Sequence, residues 1–357
     1  MQSEFRDRVL VAKVAAEIRE WSRGAEVRIM HVCGTHEWTI THAGIREMIP
    51  ESIKVVAGPG CPVCVTPGGE IDAVSELSLR KGVTVTTFGD LLRVPGNTTS
   101  LSEAKASGGD VKVVYSVADS IKMAKENPRR NIVHFSIGFE TTAPMTAIEI
   151  VRGVPPNFSV FASHKLIPPA MEFLLTSGAK LDGFICPGHV STIIGVKPYR
   201  ALADKYGKPM VISGFEPLDV MLGILNIVRQ VAEGTHRADN EYKRAVRDSG
   251  NEAAVEAMDR AFEVRDAHWR GIGIIKSSGM GLRSQYGGHD AAVKFRMKGA
   301  YQDRMPKGCG CGEVLLGNMA PKECPLFGIE CKPEHPVGPC MVSAEGTCAI
   351  VYKFKRI

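Results

Sequence analysis

Ten cysteines are the residues of this 357-residue chain best able to do chemistry, and they are unevenly spread. Six lie near the C-terminus, at Cys309, Cys311, Cys324, Cys331, Cys340 and Cys348, with the spacing C-x-C-x12-C-x6-C-x8-C-x7-C. Gly308, Gly310, Pro325, Gly338 and Pro339 surround them, and aliphatic residues are too few for the segment to form its own core. Such a segment needs an inorganic staple. Structural zinc sites usually show paired C-x(2–4)-C knuckles, and none is present. Spread thiolates separated by Gly and Pro suit a [4Fe-4S] cluster better, because the backbone must wrap the cube and donate to its sulfides. Zinc and disulfides remain the alternatives. A cluster would take four of the six thiols and leave two for a redox disulfide; spacing does not choose the four.

A second set of thiols lies early. Cys61-Pro62-Val63-Cys64 precedes Thr66 and Pro67, which read as an N-cap and first helical residue. A C-x-x-C beside a helix N-terminus favours thiolate and dithiol/disulfide exchange. The bland reading is two small residues in a proline-rich turn. Cys33 sits in Cys33-Gly34-Thr35-His36-Glu37, where a thiolate beside an imidazole could be a nucleophile or a soft iron ligand. A Cys–His hydrolase fits the same local pattern, but no oxyanion hole is identifiable, and a buried structural thiol fits as well. His164, His189, Glu140 and Glu216 fall at ends of expected strands, as cleft residues or as hydrogen-bonding and capping residues. Cys186 reads as a core thiol. Gly271-Ile272-Gly273 lacks the third glycine of a dinucleotide fingerprint and the G-K-[ST] of a P-loop, so no nucleotide site is expected.

These residues need a scaffold, and the apolar pattern supplies one. Short continuous apolar runs at 27–32, 53–57, 83–87, 111–116, 132–136, 159–162, 183–186 and 210–213 alternate with helical stretches such as 69–81, 117–126, 168–177 and 217–231. Continuous runs suit central parallel strands covered on both faces, and their alternation with helices predicts a doubly wound α/β architecture. Reactive loops follow most of these strands, where ligands sit in open α/β sheets. A faint repeat pairs 33–39 with 137–142, 58–62 with 186–190, and 88–92 with 214–218. The expected organisation is two related α/β domains facing a cleft, 1–110 with Cys33 and the C-x-x-C and 111–230, followed by 231–357 as a helical linker (240–263) and a small Cys-rich iron–sulfur domain.

Apolar residues make up 44% of the chain and charged ones 23%, which is ordinary for a globular protein. The net charge of +5 is dispersed, which argues against a nucleic-acid footprint. Residues 1–23 read as an amphipathic helix and not as a signal peptide, and no run approaches the ~18 apolar residues of a membrane span. The expected setting is the cytoplasm, where clustered cysteines favour metal binding or catalysis over structural disulfides.

Taken together, Cys33-Gly34-Thr35-His36-Glu37, Gly58-Pro59-Gly60-Cys61-Pro62-Val63-Cys64, Gly138-Phe139-Glu140-Thr141-Thr142, Cys186-Pro187-Gly188-His189-Val190-Ser191 and the stretch from Cys324 through Gly338-Pro339-Cys340-Met341-Val342-Ser343 resemble the HypD family of [NiFe] hydrogenase maturation factors. The resemblance spans nearly the whole chain. It implies a scaffold for assembly of the Fe(CN)2CO unit, a HypC-type small partner, a HypE-type cyanide donor, and a [4Fe-4S] cluster near a redox-active cysteine pair. Carried onto this sequence, it implies Cys309, Cys324, Cys331 and Cys348 as cluster ligands and Cys311 with Cys340 as the redox pair. Cys33 would hold the transient iron, Cys61 and Cys64 would cycle between dithiol and disulfide, and His36 would position or protonate groups beside the iron. Whether such a scaffold is an enzyme is left open. A cluster-fed thiol–disulfide reductase and a zinc-stabilised binding module are the rival readings.

Overall fold

The computed structural model describes residues 4–297 and 303–354. Nine strands build two parallel sheets. The first holds β1 (Val27–His31), β2 (Ile53–Ala57), β7 (Gly183–Pro187), β8 (Met210–Ser213) and β9 (Ala238–Asn240), in the order β2-β1-β7-β8-β9. The second holds β3 (Val83–Thr87), β4 (Val111–Val113), β5 (Asn131–Gly138) and β6 (Phe158–His164), in the order β4-β3-β5-β6. Counted within its own sheet, the first follows the order 2-1-3-4-5 and the second 2-1-3-4 of a doubly wound fold, each with the switch point between its first and third strands.

Continuous apolar strands arise because both faces of each sheet are covered. Side chains alternate between faces along a strand. Ile29, Ile185 and Val211 therefore pack under the helices Arg8–Ser22 and Pro217–Glu233. Their neighbours Met30, Phe184 and Ile212 point into the core shared with the second sheet. There Val85, Val133 and Phe135 are fully buried, each contributing roughly 1.5–3 kcal/mol.

The chain changes sheet twice, so the expected division at residue 110 does not separate the sheets: β3 and β4 flank that boundary within one sheet, and β7–β9 return to the first. The topological counterparts are β1 with β3 and β7 with β5, not the pairs suggested by the faint repeat. Strand-end turns resemble one another because they share φ/ψ needs, which carries no information about pairing. The expected helix over 240–263 is confined to Glu252–Ala261. Next comes an unexpected antiparallel hairpin, β10 (Phe262–Trp269) and β11 (Gly273–Leu282), which bridges to the end of β6 at Lys165. Glycines masked β11 in the sequence, yet packing demands them: a Cβ on Gly279 would come within 2.6 Å of the Ala267 Cβ.

The Cys-rich segment has only short helical turns, such as Cys311–Leu315 and Thr347–Lys353. Its Cys311, Cys331, Cys340 and Cys348 belong to the same buried cluster as Cys61 and Cys64. Among the described residues, no helix is long and apolar enough to cross a membrane.

Candidate functional site

Parallel pairing of β1 with β2 sets His31 opposite Ala57, so the loops that follow emerge side by side. They touch at the backbone. The Gly34 N–H donates to the Gly60 carbonyl at 3.3 Å, and a Cβ on Gly60 would fall well inside 3.0 Å of the Cys33 backbone. Cys33 and Cys61 are thereby neighbours in space.

Cys33 is the N-cap of the helix Gly34–Ala43. Burial pushes its thiol up to about 11; the backbone N–H groups of His36 and Thr35 oppose that rise, and the charge of Glu345 adds to it. The thiol thus holds its proton until a cation displaces it. His36 is not paired with Cys33. It is fully buried, and its Nε2–H points at the carbonyls of Ser213 (3.2 Å) and Gly214 (2.9 Å) while the ring packs on Phe215. Burial, with a smaller push from His31, lowers its pKa to about 3, so the ring is neutral. This geometry suits a positioning imidazole rather than a proton donor. A network missed in the sequence anchors the loop: His31 reaches the Cys33 carbonyl through Nδ1 (3.1 Å) and Glu37 through Nε2 (2.8 Å), and Arg46 clasps Glu37 with two N–H groups at 2.7 and 2.9 Å.

Cys61 caps the one-turn helix Pro62–Val65, its Sγ accepting from the Cys64 N–H at 3.4 Å; the two sulfurs are 2.7 Å apart. Thr66 is the C-cap of this turn and Pro67 the N-cap of the helix Gly68–Ser78, so the helix starts one residue later than expected. The dipole argument also fails at Cys64, whose pKa is raised well above the ordinary thiol value by burial. One turn of helix carries too little dipole to offset complete desolvation.

The C-terminal segment closes over this site. The Ser343 hydroxyl donates to Asp90, in the loop after β3, at 3.0 Å, while Glu345 packs on Gly34 and takes a 3.5 Å contact from Thr35. One turn therefore spans the ends of β1 and β3, one strand from each sheet. Behind it the thiols converge. Cys340 is within hydrogen-bonding reach of Cys311, Cys348 and Cys64, and Cys309 within reach of Cys311. A Cβ on Gly338 would come within 2.6 Å of Cys309 Sγ and 2.7 Å of Cys311 Sγ. Cys324 accepts from the Gly310 N–H and Cys331 from the Val337 N–H, each at 3.4 Å.

The soft sulfur donors of the tail suit a cationic inorganic centre in chemical type, but among the described residues no group of three or more His, Cys, Asp or Glu side chains is arranged to hold a metal ion. Cys311 and then burial raise Cys309; Cys311 and Cys64 raise Cys340; burial raises Cys331; at Cys348 a hydrogen bond to Cys311 is outweighed by Cys340 and burial. Crowded thiols of this kind cannot ionise together without positive charge, which a metal centre supplies on coordination. Backbone N–H groups aim at the Cys324 and Cys331 sulfurs, and Gly338 lies where a side chain would meet the Cys309 and Cys311 sulfurs.

His164 and His189 stand apart. His189 is exposed and stacks on Phe215 at 4.0 Å, near His36, whereas His164 is buried at the end of β6 against Ser136 and Phe262. Cys186 is a core thiol, and Glu216 pairs with Arg6 at the start of Pro217–Glu233. Glu140, at the switch point of the second sheet, accepts from the Ile167 N–H at 3.0 Å, and its other oxygen has no partner among the described residues. Burial pushes its carboxyl up to about 7 from 4.5. The folded chain then keeps a proton that the unfolded chain has released, so this group lowers stability as pH rises from 4.5 to 7. Glu140→Gln is expected to remove that slope and gain roughly 3 kcal/mol at neutral pH. Urea unfolding across this range tests it; parallel wild-type and variant profiles would refute the assignment.

The family model described as HypD, hydrogenase formation hypA family, matches residues 9–355. A protein of Methanocaldococcus jannaschii named for hydrogenase expression and formation is 47% identical over 356 residues, covering 98% of this chain and 99% of the relative. Hydrogenase maturation factor HypD2 of Bradyrhizobium diazoefficiens is 45% identical over 366 residues, covering 99% and 96%. Hydrogenase maturation factor HypD of Rhizobium leguminosarum is 43% identical over 367 residues, covering 99% and 95%. With a match across nearly its whole length and relatives of equal extent, this chain belongs to the HypD family of hydrogenase maturation factors.

Proposed function

We propose that the chain is a scaffold on which the Fe(CN)2CO unit of [NiFe] hydrogenases is assembled, with Cys33 holding the iron and Cys61/Cys64 acting as a dithiol beside it. The observation that carries the reading is the meeting of Cys340 with Cys64, which joins the C-terminal thiols to the cleft where Cys33 sits. Cyanide and CO favour low-spin Fe(II), for which a thiolate is a fitting soft anchor. Iron would displace the Cys33 proton, and the N–H groups of Thr35 and His36 would stabilise the resulting thiolate.

Cys309, Cys324, Cys331 and Cys348 would hold the [4Fe-4S] cluster, which when bound supplies electrons one at a time. Cys311 and Cys340 form the pair between it and the cleft. When Cys61–Cys64 is oxidised, attack by the Cys340 thiolate on the Cys64 sulfur forms a Cys64–Cys340 bond and releases Cys61 as thiolate. Attack by Cys311 on Cys340 then forms Cys311–Cys340 and releases Cys64. The disulfide moves from cleft to tail without a change in electron count. His36 holds the Cys33 helix against the loop after β8 and takes no part in proton transfer. Other hydrogenase maturation proteins are the implied partners, a HypC-type chaperone sharing the iron and a HypE-type cyanide donor, in the cytoplasm.

A reductase acting on a protein disulfide is disfavoured, because Cys61 and Cys64 are 4% and 0% exposed and offer an incoming partner no approach. The scaffold reading predicts that Cys33→Ala, isolated anaerobically with its partner proteins, loses the infrared bands of metal-bound cyanide and CO while its tail keeps its iron. Bands that persist at wild-type intensity would refute Cys33 as the anchor.

A further inference from the structure

The edge strand β6 of the second sheet runs into Ser163-His164-Lys165, and β11 bridges to it where Gly279 meets Lys165. A cavity of about 580 Å³ opens there, between the end of β6, the hairpin and the helix Gly68–Ser78. Its size is that of a metabolite site, and its place at the carboxyl end of a strand is where open α/β sheets take ligands. No cysteine lines it.

Lys165 lines this cavity and is only 3% exposed. Among the described residues its ammonium makes one hydrogen bond, to the Ser163 hydroxyl oxygen at 3.3 Å. Glu70 Oε1 stands 3.9 Å from it, beyond hydrogen-bonding range, and Ser163 donates to the other Glu70 oxygen. An ammonium can donate in more directions than this.

The surrounding donors are in surplus, and the acceptors are engaged. Asp266 accepts from the Ser277 N–H at 2.9 Å, and Asp290 from the Ala292 N–H at 2.8 Å. Arg265 donates to the Ala162 carbonyl at 2.8 Å and pairs with no carboxylate among the described residues. His164 and His268 also line the cavity, and each keeps a buried Nδ1 with no partner among the described residues. Burial pulls the Lys165 ammonium down from its usual range; Glu70 opposes that fall and Arg265 adds to it. A bound group with a single negative charge makes good this shortage of acceptors. A phosphate dianion brings more charge than the free donors match, because Glu70, Asp266 and Asp290 line the same space. Phe161, Ala267 and Ile274 add apolar wall.

We propose that this cavity binds a small organic monocarboxylate, with its carboxylate on the Lys165 ammonium and Arg265 and its apolar body against Phe161 and Ile274. Ser163 and Glu70 hold the lysine in place. The site is independent of the thiols and of the scaffold reading.

Isothermal titration calorimetry of the full chain tests it with butyrate, with butyramide, which has a similar shape and no charge, and with inorganic phosphate. Butyrate is expected to saturate a single site per chain. Butyramide and phosphate should bind at least about tenfold more weakly, as should butyrate to Lys165→Met, since a charge-assisted hydrogen bond is lost in each case. Cys33→Ala should bind butyrate as the wild type does. Should Lys165→Met fail to fold, the double variant of Lys165→Met with Glu70→Gln takes its place, because it leaves neither charge unpaired. A wild-type chain that ignores butyrate, or takes butyramide or phosphate equally well, overturns the proposal. So does a folded Lys165 variant that binds butyrate normally. Butyrate binding lost in Cys33→Ala would put the ligand in the thiol cleft and overturn it as well.

Discussion

Gly60→Ala is expected to cost at least about 3 kcal/mol and to disable the cleft although every cysteine is retained. The added Cβ would fall well inside 3.0 Å of Cys33 N, Val32 C and Cys33 Cα, all of them backbone atoms. A flexible side chain could swing away; two parallel strand ends fixed by the β1–β2 register cannot. Relief must come from separating the two loops, which breaks the Gly34 N–H to Gly60 carbonyl bond and draws Cys61 away from Cys33. Guanidinium or urea unfolding under anaerobic conditions measures the cost, and the infrared bands of the partner complex measure the loss of function. Gly287→Ala is the control, since nothing lies within 4 Å of a Cβ there, and it should change stability by less than about 0.5 kcal/mol. If both variants behave alike, close approach at Gly60 is not what holds the site together.

Glu37→Gln should destabilise the chain by roughly 3 kcal/mol, the low end for breaking a buried ion pair because Arg46 is one-third exposed. Burial alone would raise the Glu37 carboxyl, but Arg46 and His31 outweigh it and hold the group well below the usual carboxylate range. The sign follows: the stabilisation is complete above the unfolded value of 4.5 and is lost as pH falls below it. The variant is therefore expected to differ most from wild type at neutral pH and to converge with it in acid. Because His31 also holds the Cys33 carbonyl, the same change should loosen the Cys33 loop and reduce iron loading. A variant equally destabilised at every pH would show that the cost comes from packing and not from charge.

Much of this was legible in the sequence. Apolar runs long enough to be buried on both faces, with helices between them, fixed the doubly wound class, because periodicity is a local property that each segment carries by itself. The reactive loops at the ends of β1, β2, β5 and β7 were equally visible, since residue type defines their chemistry. Long-range matters were not. The pairing of β3 with β5, and of β7 with β1, follows from closing cores across the chain, which no local pattern encodes. Cys64 meets the segment around Pro339 across 275 residues, and that contact turns two separate sulfur motifs into one site. Tertiary burial also decided the state of individual groups: His36, expected to position or protonate, is a buried neutral ring held on backbone carbonyls, and Cys64, expected as an activated thiol, is a desolvated one. Arg270 carried no signal at all, because a lone arginine beside glycines acquires meaning only when folding removes its water and sets it against Asp303 and the Pro95 carbonyl.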